Sequence, residues 1–253
     1  MKQGLQNEIQ ASINSITRFL GFTALILIII SVTCRLVYND SMHDYLKRIL
    51  EYFYVDQEQN IPTFFSSFLL LLSSAILAII AKLEKDNRST SALKWMVLSI
   101  CFLYLSIDES VSLHEKLIFP MRNMLPGKLS HGIFYYTWVI PGMIFILFFA
   151  AFFADFILKL NPKIRFYFIT SAIIYVSGGL GLELIGGYLY ELNQRTIGYS
   201  MLTTVEEGME MAGIIVFIYG LLIYISEKYQ SVIFIFTSSG LQKSSLKQKT
   251  EDV

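Results

Sequence analysis

The chain has 253 residues, 54% of them hydrophobic and 16% charged, and its 20 basic and 20 acidic side chains cancel. A soluble domain carries about 25% charged residues, so an ordinary soluble globule is excluded. No basic stripe interleaved with aromatics occurs ahead of the short C-terminal tail, which excludes a nucleic-acid partner.

The apolar residues fall in blocks of about 20, the length that spans roughly 30 Å of hydrocarbon. They do not alternate as the strands of a β-barrel would. The pattern predicts an all-α polytopic membrane protein, a bundle of six transmembrane helices over 16–37, 61–82, 93–115, 133–158, 165–190 and 200–226. The first block follows Lys2 and Arg18 but lacks a small-x-small cleavage site, so it reads as an uncleaved span. Residues 1–230 form a single transmembrane domain, and 231–253, rich in Ser, Lys and Gln, form a tail expected to be disordered. Cys34 and Cys101 sit inside predicted spans without a CxxC, which argues against a disulfide framework or a zinc knuckle.

Basic residues in short loops set orientation. Thirteen lie on the side of the N-terminus, the second and fourth loops and the tail; seven lie on the other. Both termini are therefore expected in the cytoplasm, with the loops near 38–60, 116–132 and 191–199 facing out. The cluster Phe134-Tyr135-Tyr136-Thr137-Trp138 reads as an interfacial aromatic belt. Pro141-Gly142 is expected to kink the fourth span. His43, His131 and Glu191 read as solvated loop or helix-end groups.

The informative residues are acids within the apolar spans: Asp108, Glu109 and Glu115 on the third, Glu183 on the fifth, and Glu206, Glu207 and Glu210 on the sixth. A carboxylate at the bilayer centre costs roughly 3 kcal/mol, so such groups face a protein interior or a wet cavity. The predicted topology places all three clusters in the outer half. At about 100° per residue, Asp108, Ser112 and Glu115 share one sector of the third span, while His114 points nearly the opposite way. Thr203, Glu207 and Glu210 share a stripe with Glu206 beside it. Glu183 shares a face with Gly179, Gly186, Gly187 and Tyr190. Asp56 and Glu58, in the first outer loop, are placed to cover the site from above.

So many acids in a dry site call for protonation or for a bound cation. An oxygen-rich set with at most one His suits Mn, Fe, Mg or Ca, with Zn a further choice. Asp108, Glu183, Glu207 and Glu210 are the expected metal ligands, with His114 and Glu115 as further candidates. Glu109 is the expected general acid/base, acting through a metal-bound water, with Ser112 beside it. No Glu-x-x-His pair occurs, so a ferritin-like di-iron site is not indicated. Three readings stay open. The first is a metal-dependent membrane enzyme, a hydrolase or oxidoreductase, acting on a lipid or lipid-linked substrate. The second is an ion- or proton-coupled transporter or channel, against which stands the lack of charge in the inner halves of spans two, three, five and six. The third is a structural or partner subunit of a membrane complex.

The segments Asp56-x-Glu58-x-Asn60-Ile61-Pro62-Thr63, Ser106-Ile107-Asp108-Glu109-Ser110-Val111-Ser112-Leu113-His114-Glu115, Gly181-x-Glu183 and Glu206-Glu207-x-x-Glu210-Met211 together resemble a group of bacterial multi-pass inner-membrane proteins of unknown function. The likeness covers about residues 52–220. It implies a bacterial inner-membrane location and no particular activity.

Overall fold

The computed structural model describes residues 2–38, 42–55, 59–125, 127–193 and 196–229; the tail lies outside them. Every regular element among the described residues is helical: α1 (Lys2–Val37), α2 (Asp44–Glu51), α3 (Ile61–Asp86), α4 (Ala92–Val111), α5 (Leu113–Lys116), α6 (Ile118–Met124), α7 (Val139–Lys159), α8 (Pro162–Val176), α9 (Glu183–Asn193) and α10 (Ile197–Tyr229). Two short 3-10 turns precede α7, and a π-helical segment, Ser177–Leu182, joins α8 to α9. Five helices are long and apolar enough to cross a membrane, or six if the bent pair formed by α4 with α5–α6 is one span. This is the architecture of a polytopic membrane protein.

Two seams hold the bundle. In α3 and α4, serines seven residues apart meet across an antiparallel pair. Ser74 Oγ donates to Ser99 O at 2.8 Å and Ser99 Oγ donates back to Ser74 O at 2.9 Å. Ser67 and Ser106 repeat the exchange at 2.8 and 2.9 Å. Small polar residues suit such a seam, because lipid supplies no hydrophobic drive between helices and close backbone approach must replace it.

The second seam joins α8 and the π segment to α10, again antiparallel. A Cβ on Gly213 would lie 2.9 Å from Tyr175 N, one on Gly220 3.0 Å from Tyr167 Cβ, and one on Gly178 3.0 Å from Glu206 O. Ser171 Oγ donates to Gly213 O at 2.8 Å across the same contact. Behind these seams, Trp95 is fully buried among Phe156, Phe168 and Tyr224. By contrast α7 buries only Val139, Phe153 and Phe156 and leaves Phe145, Leu147, Phe148 and Phe152 exposed, as a lipid-facing helix would.

At one end of the bundle Glu84 is fully buried. It accepts from Lys228 Nζ at 2.5 Å, Tyr224 Oη at 2.6 Å, Ser91 Oγ at 3.1 Å and the Tyr229 hydroxyl. Four donors from α10 and the α3–α4 turn meet the requirement that a buried charge be paired and hydrogen-bonded. The expected second span ended at 82, so this lock was not anticipated.

Three expectations about the spans change. The helix of the first span begins at Lys2 rather than near 16 and is about 54 Å long at 1.5 Å per residue. The third span is not continuous to 115: α4 stops at Val111, Ser112 is left-handed (φ 50°), and α5–α6 leave at 71°. Pro141 does not kink the middle of a helix, because α7 starts at Val139. It therefore sits in the first turn, where its missing N–H has no intrahelical partner to lose.

Gly213→Val is expected to destabilise the protein by about 1–3 kcal/mol, because the side chain meets backbone that cannot yield. A lower melting temperature in detergent checks it. Glu84→Leu strands Lys228 and three hydroxyls, and a lower melting temperature than that of the lipid-facing control Phe148→Leu is the expected result.

Candidate functional site

The left-handed turn at Ser112 builds the site. With the helix ended, Ser112 N donates to Asp108 O at 2.7 Å, and the chain folds back over its own last turn. Asp108 then serves two atoms of one residue: Oδ1 accepts from His114 N at 2.9 Å, and Oδ2 lies 2.8 Å from His114 Nδ1. Helical phase alone put His114 on the opposite face from Asp108, and the break at Ser112 reverses that relation. Ser112, expected beside the chemistry, is buried and makes the bend with its backbone.

The His114 ring packs at 4.6 Å from that of Trp138, whose Nε1 donates to Glu183 Oε1 at 3.0 Å. Trp138 is therefore a wall of the site, and its neighbours follow it inward. Thr137 is fully buried and donates to Ile118 O at 2.9 Å. Tyr136 Oη lies 3.0 Å from Tyr199 Oη, and Tyr135, Tyr136, Tyr190 and Tyr199 form a connected ring cluster. The segment expected as a lipid-interface belt folds onto the bundle as a roof. Arg122 secures it by donating to Tyr135 O at 2.7 Å, and the His131–Glu191 pair at 2.6 Å pins the preceding turn to the end of α9.

From below, the π segment brings α10 into the site. Glycines occupy three of its six positions. A Cβ on Gly179 would sit 2.6 Å from Glu210 Oε1, so the Glu210 carboxylate occupies the space a side chain would take. π-helical turns inside α-helices are rare and occur mostly at functional sites. The Glu206 side chain is buried and lies beside the Glu183 carboxyl. Glu210 lies close to Tyr175 and within electrostatic reach of Glu109, His114 and Glu183. Glu207 flanks both Glu206 and Tyr175. Thr203 Oγ1 donates to Tyr199 O at 3.1 Å.

The acids expected to converge thus do so, from α4, the α8–α9 span and α10. Asp108, Glu109, His114, Glu183, Glu207 and Glu210 share one neighbourhood. Glu115 is exposed on α5, though it still acts on His114 through space. Asp56 and Glu58 lie outside the described residues. Glu206, beside the expected stripe and outside the expected ligand set, meets Gly178 and Glu183. Sequence reasoning also missed Tyr175 and Trp138, whose polar tips reach the acids from positions that read as apolar helix and interface belt. Among the described residues, no group of three or more His, Cys, Asp or Glu side chains is arranged to hold a metal ion. Partners of the acids in the structure include His114, Trp138, Tyr175 and one another.

A domain of unknown function, DUF8692, matches residues 19–225. The chain belongs to the DUF8692 family. No curated protein and no solved structure matches the chain. The matched span contains every DUF8692 residue placed in the site above, together with both packing seams.

Trp138 reports on its carboxylate partner. In a Trp95→Phe background, Glu183→Leu removes the acceptor of the only remaining indole and is expected to shift its emission maximum. In a Trp138→Phe background the same change leaves the spectrum of Trp95 unaltered. Identical spectra in both backgrounds would contradict the Trp138–Glu183 contact.

Proposed function

We propose that this DUF8692 protein is a membrane-embedded enzyme that performs general acid–base chemistry on a lipid or lipid-linked substrate. It resides in a bacterial inner membrane with both termini in the cytoplasm and the acid site in the outer half of the bilayer. The observation that carries the reading is the Asp108–His114 pair, at 2.8 Å and closed by the backbone turn at Ser112. A carboxylate on Nδ1 fixes the imidazole's orientation and tautomer and leaves Nε2 to exchange a proton with a substrate. Deriving the pair from a sharp backbone turn holds both groups rigidly, as catalytic geometry requires.

The other acids complete the cycle. Glu183 and Glu206 are neighbouring carboxyl groups in a buried site, where two like charges side by side are disfavoured, so the pair holds a proton. That proton makes the pair a donor for a leaving group, with Trp138 holding Glu183 in place. Glu210 and Glu109 stand behind as a second tier close to His114. The apolar side chains that α7 leaves exposed favour a substrate that arrives from the bilayer.

The test compares the lipid profile, by untargeted mass spectrometry, of cells making the wild-type chain with cells making His114→Gln or Asp108→Asn. A lipid species that accumulates or disappears with wild type is expected to return toward the empty-vector level in both variants. A positioned acid–base group contributes roughly 10²–10⁴ in rate, so the loss should be nearly complete. Unchanged profiles with wild type would remove the enzyme reading. Elemental analysis of the detergent-purified protein is the companion measurement. Stoichiometric Mn, Fe, Mg, Ca or Zn that is lost in Glu183→Gln would replace this reading by the cation-dependent one expected from the sequence.

A further inference from the structure

The polar side chains of α8 form a pattern that the acid site does not use. Lys163, Tyr167, Ser171 and Tyr175 recur every four residues and so line one face. This face turns toward α10. Tyr175 N and Cβ approach Gly213, Ser171 Oγ donates to Gly213 O at 2.8 Å, Tyr167 Cβ approaches Gly220, and Lys163 Nζ pairs with Glu227 at 2.9 Å. The stripe begins at the charged end of the bundle and finishes where Tyr175 meets Glu210.

Other helices add polar groups to it. Tyr167 packs edge-on against Tyr219 of α10, with ring centroids 4.9 Å apart. Tyr219 Oη in turn accepts from Gln10 Nε2 of α1 at 3.2 Å, and Gln10 donates to Asn14 Oδ1 at 2.9 Å. The inner halves of these spans, which lack charge, are thus not apolar along the α8–α10 seam. A four-residue step rises about 6 Å, which is the reach of one water bridging two hydroxyls through two hydrogen bonds.

We propose that the α8 face carrying Lys163, Tyr167, Ser171 and Tyr175 is a proton path, with bridging water, joining the acid site to the opposite end of the bundle. A hydroxyl both donates and accepts, so each step breaks one O–H bond as it forms the next. One proton enters at the Lys163–Glu227 end for each one that passes from Glu210 to the partly exposed His114 and out, and no group changes oxidation state. Tyr175 faces Glu210 and Glu207 of α10 and Glu109 and Asp108 of α4. Tyr167 faces Tyr219 and Glu227 of α10 and Lys163 of its own helix. Acids therefore gather at the receiving end and hydroxyls fill the interval. The path rests on the reading of the acids as a proton-handling site and is independent of the substrate.

The test uses the full chain in vesicles of phosphatidylethanolamine and phosphatidylglycerol that enclose a pH-sensitive dye, with a potassium diffusion potential set by valinomycin. Proton movement faster than in protein-free vesicles is expected. Tyr175→Phe and Tyr167→Phe, which keep the rings and remove the hydroxyls, should each slow it by at least roughly tenfold, the scale of losing a proton-transfer partner. The lipid-facing Phe166→Leu should leave it unchanged. A wild-type rate equal to that of empty vesicles overturns the path. So do tyrosine variants that conduct like wild type while Glu210→Gln does not, an outcome that leaves the acid site standing. Wild-type conduction by Glu210→Gln overturns the acid-site reading instead, together with the junction at Tyr175.

Discussion

The close approach of α10 to α8 and the π segment is the contact on which the rest of the molecule depends. At Gly213 and Gly178 the facing backbone lies where a side chain would have to stand. Within a bilayer, such contact replaces the hydrophobic drive that folds soluble bundles. It also brings the part of α10 that carries Glu206, Glu207 and Glu210 against the segment that leads into Glu183, in a medium that tolerates none of them alone. The glycines therefore decide both the packing and the chemistry: the space left at Gly179 is the space filled by the Glu210 carboxylate.

Two departures from regular helix occur beside the acids, the left-handed residue Ser112 and the π segment Ser177–Leu182. Irregular backbone in a membrane is tolerated only where it is buried in protein or lines a cavity. Here it does both jobs that a polar site requires. The turn at Ser112 aims the His114 backbone and ring at one carboxylate, and the π segment shifts the register so that Glu183 meets Trp138 and Glu206. The aromatic roof from Tyr135 to Trp138 closes the same end.

The opposite end is built differently. Glu84 has Lys228 and three hydroxyls as partners, and α3 runs unbroken past it to Asp86. It ties α3, the start of α4 and the end of α10 into a fixed base, while the serine exchanges keep α3 and α4 in register. The concentrated acids lie at the other end. The hydroxyl stripe on α8 runs between the two.

The sequence by itself determined the class of the molecule. Blocks of about 20 apolar residues dictate membrane-spanning helices wherever they occur, and five to six such spans are present near the expected positions. It also determined that the acids of three spans share a site, because a carboxylate in hydrocarbon must find protein partners. Helical phase failed at two places. It separated His114 from Asp108, since a 100° rotation per residue holds only while the helix continues, and α4 stops at Val111. It left Glu206 beside the expected stripe and outside the ligand set, since periodicity describes one helix and cannot tell that Gly178 of another lets that face come close. The partners of the acids, Trp138 and Tyr175, and the inward turn of the aromatic segment were likewise decided by tertiary structure alone. Those contacts depend on how close two backbones come and where a helix breaks, and neither is written in the hydrophobic period of a single chain segment.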